Sequence, residues 1–213
     1  MGPISFYQII LIFAFGAFVY LLYLRGNRKN REINKYIASE LENAINPVSK
    51  SYKNLGGTIG YKAFYERRGY INRIVALFTT LPRQSIIVYP FHLLFKGHDK
   101  LQLNIYSEKD LAVHFALVKK SLNYEKYLKN YSVKNLTQKE IEHNKETFLI
   151  FYNSDISLGF CRLLIEKFKM LNVLSIIANQ ENRLFHVNLI PRKGEIEPFI
   201  KIFLSTAKNY LEK

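Results

Sequence analysis

Residues 4–24 read ISFYQIILIFAFGAFVYLLYL and contain no charged side chain. As an α-helix that rises about 1.5 Å per residue, this run is roughly 31 Å long, which matches the hydrocarbon thickness of a bilayer. Tyr7, Tyr20 and Tyr23 lie near its two ends, where aromatic residues are typical of membrane interfaces. The run therefore predicts a transmembrane anchor over residues 1–24.

A cleavable signal peptide is the alternative interpretation of this run. It would need a positively charged start and a small-residue cleavage site. Met1–Pro3 carry no basic side chain, and RGNRKNR follows the run at residues 25–31. The positive-inside rule then places the following domain in the cytoplasm and the N-terminus outside, as expected for a single-pass membrane protein. The basic residues that set this orientation are Arg25, Arg28, Lys29, Arg31 and Lys35.

The anchor is followed by a basic juxtamembrane helix over 25–47. Its apolar residues recur every three or four positions, which is typical of one buried helix face. They are Ile33, Tyr36, Ile37, Leu41, Ala44 and Ile45, and Pro47 ends the pattern.

Residues 55–213 predict an α+β domain of antiparallel sheet and packed helices. The predicted strands are 59–66, 85–95, 101–106, 111–118 (where a helix stays an alternative), 147–152, 173–178 and 184–190. The predicted helices are 70–80, 121–131, 158–170 and 195–211, with polar connections at 49–60 and 132–146. The order of elements repeats, which is compatible with two similar halves, 55–131 and 147–213.

The charge of the chain is its strongest bulk property. A net charge of +14 with an uncharged span makes the domain strongly basic, as suits anionic lipid headgroups or nucleic acid. A lysine-rich composition that serves only solubility is the alternative. The single cysteine, Cys161, excludes a disulfide framework within the chain and is expected to pack in a helix core.

The sequence nominates no catalytic, cofactor-binding or metal-binding residue. The five histidines have no ligand spacing, and His92 and His186 are interpreted as structural histidines in strands. GGTIG at 56–60 lacks the ending of a phosphate loop and predicts a turn into a strand. We therefore expect a protein without enzymatic activity and without a cofactor.

Two sets of residues are candidates for binding. Ala14, Gly16 and Ala17 form a small-residue notch that would let a partner helix approach the span, although such residues are also common in spans generally. Basic residues that would face lipid or a ribosome form the second set. Besides Arg25, Arg28, Lys29, Arg31 and Lys35, they are Arg67, Arg68, Arg73, Lys119, Lys120, Lys126, Lys129 and Lys134.

The order of these segments resembles the calumin-like family, the coiled-coil subunit of the PAT complex, which is a translocon-associated chaperone of membrane proteins. The resembling segments are 15–41, 61–82, 111–131 and 147–208, including FLIF at 148–151. The match is one of pattern, without a diagnostic motif. The short form is similar to a prokaryotic, archaeal-type relative, and this resemblance implies a location in the cell (plasma) membrane.

This resemblance implies an accessory factor at the junction of the ribosome and the Sec translocon, with nascent multipass membrane proteins as clients and a small Asterix-like membrane protein as partner. Longer relatives carry an acidic lumenal region before the span, whereas only Met1–Pro3 precede it here, so calcium binding is not carried over. They also carry a lysine-rich coiled coil after the domain. A contact with ribosomal RNA would therefore use the globular domain of this chain.

Overall fold

The computed structural model describes residues 6–95, 97–120, 124–128, 131, 135–168 and 172–211. Its first element is one unbroken helix of 40 residues, α1 (Phe6–Ile45), about 60 Å long, which joins the predicted span to the predicted juxtamembrane helix. Side chains are almost all exposed up to Arg25, and from Gly26 onward one face is buried. The predicted apolar stripe is confirmed by Ile33, Ile37 and Leu41. The apolar part of α1 is long enough to cross a membrane.

An antiparallel sheet forms the body of the domain. The strands of the described residues are β1 (Ser49–Asn54), β2 (Gly60–Glu66), β3 (Ile71–Thr79), β4 (Lys100–Ser107), β5 (Phe115–Lys119), β6 (Thr137–His143), β7 (Glu146–Tyr152), β8 (Val173–Asn179) and β9 (Leu184–Leu189). They lie in the order β1-β2-β3-β4-β9-β8-β5-β7-β6. The predicted α+β class is confirmed. Strands of both predicted halves belong to one sheet, because β4 pairs with β9 and β5 pairs with β8.

Helices cover the sheet on both faces. They are α2 (Val88–Leu94), α3 (Tyr124–Leu128), α4 (Asp155–Lys167) and α5 (Ile196–Ala207), followed by a 3₁₀ turn at Lys208–Tyr210. The main core joins α1, α4 and α5 to one face of the sheet. Alternate residues of β5 separate the faces: Phe115 and Leu117 enter the main core, whereas Ala116 and Val118 enter a smaller cluster under α3.

Several sequence predictions are confirmed. The strands at 59–66, 101–106, 147–152, 173–178 and 184–190 and the helices at 158–170 and 195–211 correspond to observed elements of the same type. The strand at 111–118 is confirmed in its second half. The helix at 121–131 is helical over Tyr124–Leu128, and residues 121–123, 129 and 130 lie outside the described residues.

Two predictions of element type are wrong. The helix at 70–80 is instead β3, a central strand that pairs with β2 on one side and β4 on the other. Its apolar residues fit both periods, because a short apolar run does not separate helix from strand. The strand at 85–95 instead contains α2, which begins where the hydroxyl of Ser85 accepts a hydrogen bond from the backbone N–H of Val88 at 3.2 Å.

Two predicted connections contain edge strands, so those predictions are also wrong. Ser49–Asn54 forms β1, whose residues are all exposed, and Thr137–His143 forms β6. Both are rich in polar and charged residues, as edge strands often are, and this composition hides the strand signal. The turn predicted at 56–60 is confirmed by positive φ at Gly56 (117°) and Gly57 (52°).

Candidate membrane-proximal site

The small-residue notch lies on the exposed part of α1. Ala14, Gly16 and Ala17 are all exposed. A Cβ atom built at Gly16 would meet no atom within 4 Å, so the helix surface here is open. The notch is therefore available to a second helix.

Gly26 is the point at which α1 first contacts the domain. A Cβ at this position would lie 2.2 Å from the carbonyl oxygen of Arg83. Only glycine allows the backbone between β3 and α2 to come this close to the helix. Sequence reasoning missed this contact, although a glycine directly after an apolar span was a signal.

A polar network fixes the same loop one turn further along α1. The side-chain amide of Asn30 donates to the carbonyl oxygen of Leu81 at 2.9 Å, and Arg83 donates to the Asn30 side-chain oxygen at 3.0 Å. The Arg83 guanidinium makes a two-pronged ion pair with Asp99, with both bonds at 2.8 Å. Asp99 also accepts the backbone N–H of Leu81 at 2.8 Å.

The hydrogen bonds and charges around Arg83 raise the pKa of its guanidinium. Burial lowers the pKa of the Arg83 guanidinium, but the hydrogen bonds and charge of Asp99 outweigh burial, so its pKa lies above the usual value. Tyr89 of α2 contributes in the same direction, which places α2 beside Arg83. The ion pair with Asp99, which is largely shielded from water, thus orients Arg83, and Asn30 holds the loop to α1.

The next turn of α1 holds a second loop. Asn34 donates to the carbonyl oxygen of Thr58 at 3.2 Å, and the Thr58 hydroxyl donates to Asn27 at 2.8 Å. The Thr80 hydroxyl donates to the same Thr58 carbonyl at 2.9 Å. Asparagines on the buried face of α1 therefore hold the residues just before β2 and just after β3, which lie together at the open end of the β2–β3 hairpin.

The far end of α1 is fastened to α5. The carboxylate of Glu40 accepts backbone N–H groups of Gly194 at 2.6 Å, Ile196 at 3.0 Å and Glu197 at 3.3 Å. A negative charge at a helix N-terminus satisfies unpaired N–H groups and the helix dipole. Contacts from Gly26 to Glu40 thus fasten the second half of α1 to the domain.

The juxtamembrane basic residues are exposed on α1. An open groove of about 630 Å³ is lined by Tyr23, Leu24, Asn27, Arg28, Arg31, Glu32 and Lys35. Arg28 and Lys29 approach Glu32 at 3.3 Å and 3.8 Å, and all three side chains are more than half exposed. Such pairs contribute little to stability, so these cations are available to a partner.

Arg67, Arg68 and Arg73 form a second basic region at the opposite end of the hairpin. Glu66 pairs with Arg73 at the end of the β2–β3 ladder, whereas Gly60 pairs with Thr79 at the end near Asn34. Arg73 lies over the ring of Tyr106, 5.6 Å from its centroid. This region therefore lies away from the span.

The remaining basic candidates do not form a free cationic face in the described part of the chain. Lys119 pairs with Glu146 at 2.7 Å and its side chain is only 13% exposed. Lys120 pairs with Glu140 at 2.7 Å. Lys126 lies in α3 with its side chain undescribed, and Lys129 and Lys134 lie outside the described residues.

Other chemistry-bearing residues have structural partners. His92 lies exposed in α2, not in a strand, so that prediction is wrong, whereas His186 lies in β9 as predicted. The His186 ring hydrogen-bonds to the Asn104 side chain, and burial lowers its pKa. Cys161 is buried in α4, as predicted, and burial raises the pKa of its thiol well above the usual value.

A groove of about 320 Å³ between the end of α4 and the start of α5 is lined mainly by apolar side chains, including Phe168, Phe199 and Ile202. Within the described ranges, no three His, Cys, Asp or Glu side chains are grouped to hold a metal ion.

Comparison with known proteins gives no match for this chain, neither among protein-family models nor among curated protein sequences.

Proposed function

We propose that the chain is a non-enzymatic, membrane-anchored accessory factor of the ribosome–Sec translocon that assists insertion and folding of multipass membrane proteins. The resemblance of its segment order to the calumin-like family motivates this function. The observation that carries it is the continuity of α1 from an exposed apolar half into the core of a basic domain. A rigid helix of this kind would hold the domain at a fixed height above a bilayer.

In the proposed orientation, α1 spans the plasma membrane with its N-terminus outside. Arg25, Arg28, Lys29, Arg31 and Lys35 then lie at the height of cytoplasmic headgroups, where each basic residue contributes about 1 kcal/mol of attraction to an anionic leaflet. The notch at Ala14, Gly16 and Ala17 would receive a small Asterix-like membrane protein.

In this proposal, the second basic region is the part of the domain that contacts the ribosome. Arg67, Arg68 and Arg73 lie at the end of the hairpin that faces away from the span, where ribosomal RNA could approach. Contacts of cations with RNA phosphates weaken as salt rises, because they release bound counterions. The proposal therefore expects ribosome binding that is strong at low salt and lost at high salt.

The test is co-sedimentation of the full chain, in nanodiscs, with ribosomes. Changing Arg67, Arg68 and Arg73 to Gln should abolish low-salt binding. The matched control changes Lys50, Lys120 and Lys201 to Gln, which removes the same charge from lysines that are paired with Glu42, Glu140 and Glu197. Equal losses from both triple variants would indicate bulk charge only, and unchanged binding by the arginine variant would contradict this contact.

A membrane scaffold that binds anionic lipid without a ribosome is the second candidate. The groove beside Tyr23 and Leu24 favours it, because exposed Arg28, Arg31 and Lys35 line it next to the span. Lipid analysis of the chain purified in native membrane discs separates the two. Enrichment of anionic lipid without ribosomes, lost on changing Arg28 and Arg31 to Gln, would favour the scaffold.

A further inference from the structure

The segment around α2 exposes many apolar side chains. Residues 85–95 read SIIVYPFHLLF and contain no Asp, Glu, Lys or Arg. Ile87, Leu94 and Phe95 are 74%, 76% and 82% exposed, and Ile86, Val88, Phe91 and Leu93 are exposed as well. A contiguous patch of this kind marks a surface that something apolar covers.

The contacts along α1 give the direction in which this segment leaves the domain. Thr80 hydrogen-bonds to the Thr58 carbonyl, level with Asn34. Leu81 is level with Asn30, four residues nearer the span. The backbone at 83–84 is level with Gly26, another four residues nearer. Each such step is about 6 Å along the helix axis, so the chain runs toward the span as it enters α2.

Two residues in the otherwise exposed first half of α1 are half-buried, and they lie on the face that contacts the domain further along the helix. Within residues 6–24, Val19 and Leu22 are the two half-buried positions. They share one helix face with Gly26 and Asn30, because they precede Gly26 by seven and four residues. The half-burial of Val19 and Leu22 thus lies on the face that the backbone of residues 83–84 approaches at Gly26.

The residues that follow α2 pack back against the residues that precede it. The backbone N–H of Gly97 donates to the carbonyl oxygen of His92 at 2.6 Å, and the Cβ position of Gly97 lies 3.2 Å from the Leu81 side chain. Asp99 then joins the ion pair with Arg83. Both ends of residues 81–99 are thus fastened beside Asn30, and the apolar middle follows residues 83–84, which approach α1 at Gly26.

We propose that residues 86–95 insert into the cytoplasmic-side leaflet of the bilayer, beside the span, as a second membrane contact of the domain. This inference rests on the proposed membrane anchoring by α1. The occupant is phospholipid, because the patch carries no Asp, Glu, Lys or Arg and the residues that lead into it, 83–84, contact α1 at Gly26, directly after the apolar run. Apolar helical segments with this placement lie about 5–10 Å deep, at the boundary of headgroups and acyl chains. Two contacts would fix the tilt of the domain as well as its height.

The absence of tryptophan from the sequence allows a direct measurement of depth. Single-tryptophan variants Phe91→Trp and Leu94→Trp of the full chain are reconstituted in vesicles with brominated acyl chains. Phe13→Trp reports the middle of the span, and Tyr70→Trp, at the opposite end of the hairpin, reports a site in water. Phe91→Trp and Leu94→Trp should be quenched, more strongly by bromine near the headgroup than by bromine near the chain end. Phe13→Trp should give the reverse order, and Tyr70→Trp no quenching.

The outcomes separate this inference from the anchor itself. Quenching of Phe13→Trp without quenching at positions 91 and 94 overturns the second contact and leaves the span intact. A blue-shifted but unquenched emission at 91 and 94 means that protein covers the patch, which overturns the lipid contact too. Absence of quenching at 13, 91 and 94 overturns the membrane anchoring and with it this inference.

Discussion

The two halves of α1 belong to one unbroken helix but have opposite surroundings. Residues 6–24 carry no charged side chain and are nearly all exposed, whereas residues 26–45 bury one face against the domain. Leu11 is 72% exposed and Leu41 is 0% exposed, although both are leucines in regular helix. The difference therefore does not arise from backbone geometry or from residue type alone.

The arrangement of polar residues accounts for the difference. The second half alternates an apolar stripe with charged residues, and Asn27, Asn30 and Asn34 hydrogen-bond to loops of the domain. The first half has no polar face that would tolerate water opposite an apolar face, so a single packed neighbour would not satisfy it. A helix that is apolar all round is typical of a buried protein core or of a membrane span.

The largest effect is expected for leucine truncation in the two halves. Leu41→Ala should lower the free energy of unfolding of the domain by about 2–5 kcal/mol, because it leaves a cavity in the main core. Leu11→Ala should leave it unchanged. Denaturation of both variants in nanodiscs, followed by circular dichroism, measures this. Equal losses would mean that the first half is packed against the domain.

A second comparison uses the two glycines of α1. Gly26→Ala should destabilise the contact between α1 and the β3–α2 loop by about 1–3 kcal/mol, because its Cβ meets backbone atoms of Arg83. Gly16→Ala should leave the domain unaffected, since no atom lies near its Cβ position. Hydrogen exchange of residues 81–85 reports the effect locally. Unchanged protection in Gly26→Ala would contradict the close approach.

A smaller effect is expected where α1 caps α5. Glu40→Gln should cost about 1 kcal/mol, because the charged acceptor at the helix N-terminus is lost. Glu32→Gln removes an equal charge from an exposed pair on the same helix and should cost little. Thermal denaturation of the two variants measures the difference, and equal melting temperatures would contradict the cap.

The smallest effect expected is a pH dependence of domain stability that arises at Glu42, in the second half of α1. Hydrogen bonds from Lys50 and then from Tyr52 lower the pKa of Glu42 below its usual value of 4.5. A depressed carboxyl pKa contributes stability that is present above pH 4.5 and is lost as pH falls through the folded-state pKa. Glu42→Gln should therefore flatten the acid side of the stability curve by less than about 1 kcal/mol. An unchanged acid limb in stability measurements between pH 3 and 6 would contradict this role.

Periodicity and length were sufficient to predict much of the fold. The apolar run before Arg25, the stripe at Ile33, Ile37 and Leu41, and the strands β7, β8 and β9 all have strong local patterns. Residues 85–95 were misassigned because nearly every position is apolar, which leaves no period to read. β1 and β6 were missed because their polar and charged residues are those of sheet edges.

The candidate site was predicted less completely than the fold. The exposed cations after the span were found from the sequence, but Gly26, Asn30, Arg83 and Asp99 were not. Their roles depend on partners that lie between 16 and 53 residues away in the chain, and no local pattern encodes such contacts. The paired state of Lys119 and Lys120 was hidden for the same reason.

The most direct test of the central claim is the accessibility of one engineered cysteine in cells. Cys161 is buried, so Ser51→Cys on the exposed strand β1 would provide the reactive thiol. If α1 spans the membrane and places the domain in the cytoplasm, an impermeant maleimide should label this cysteine only after the membrane is permeabilised, with the chain in the membrane pellet. Labelling in intact cells, or a labelled chain that stays in the soluble fraction, would contradict the account.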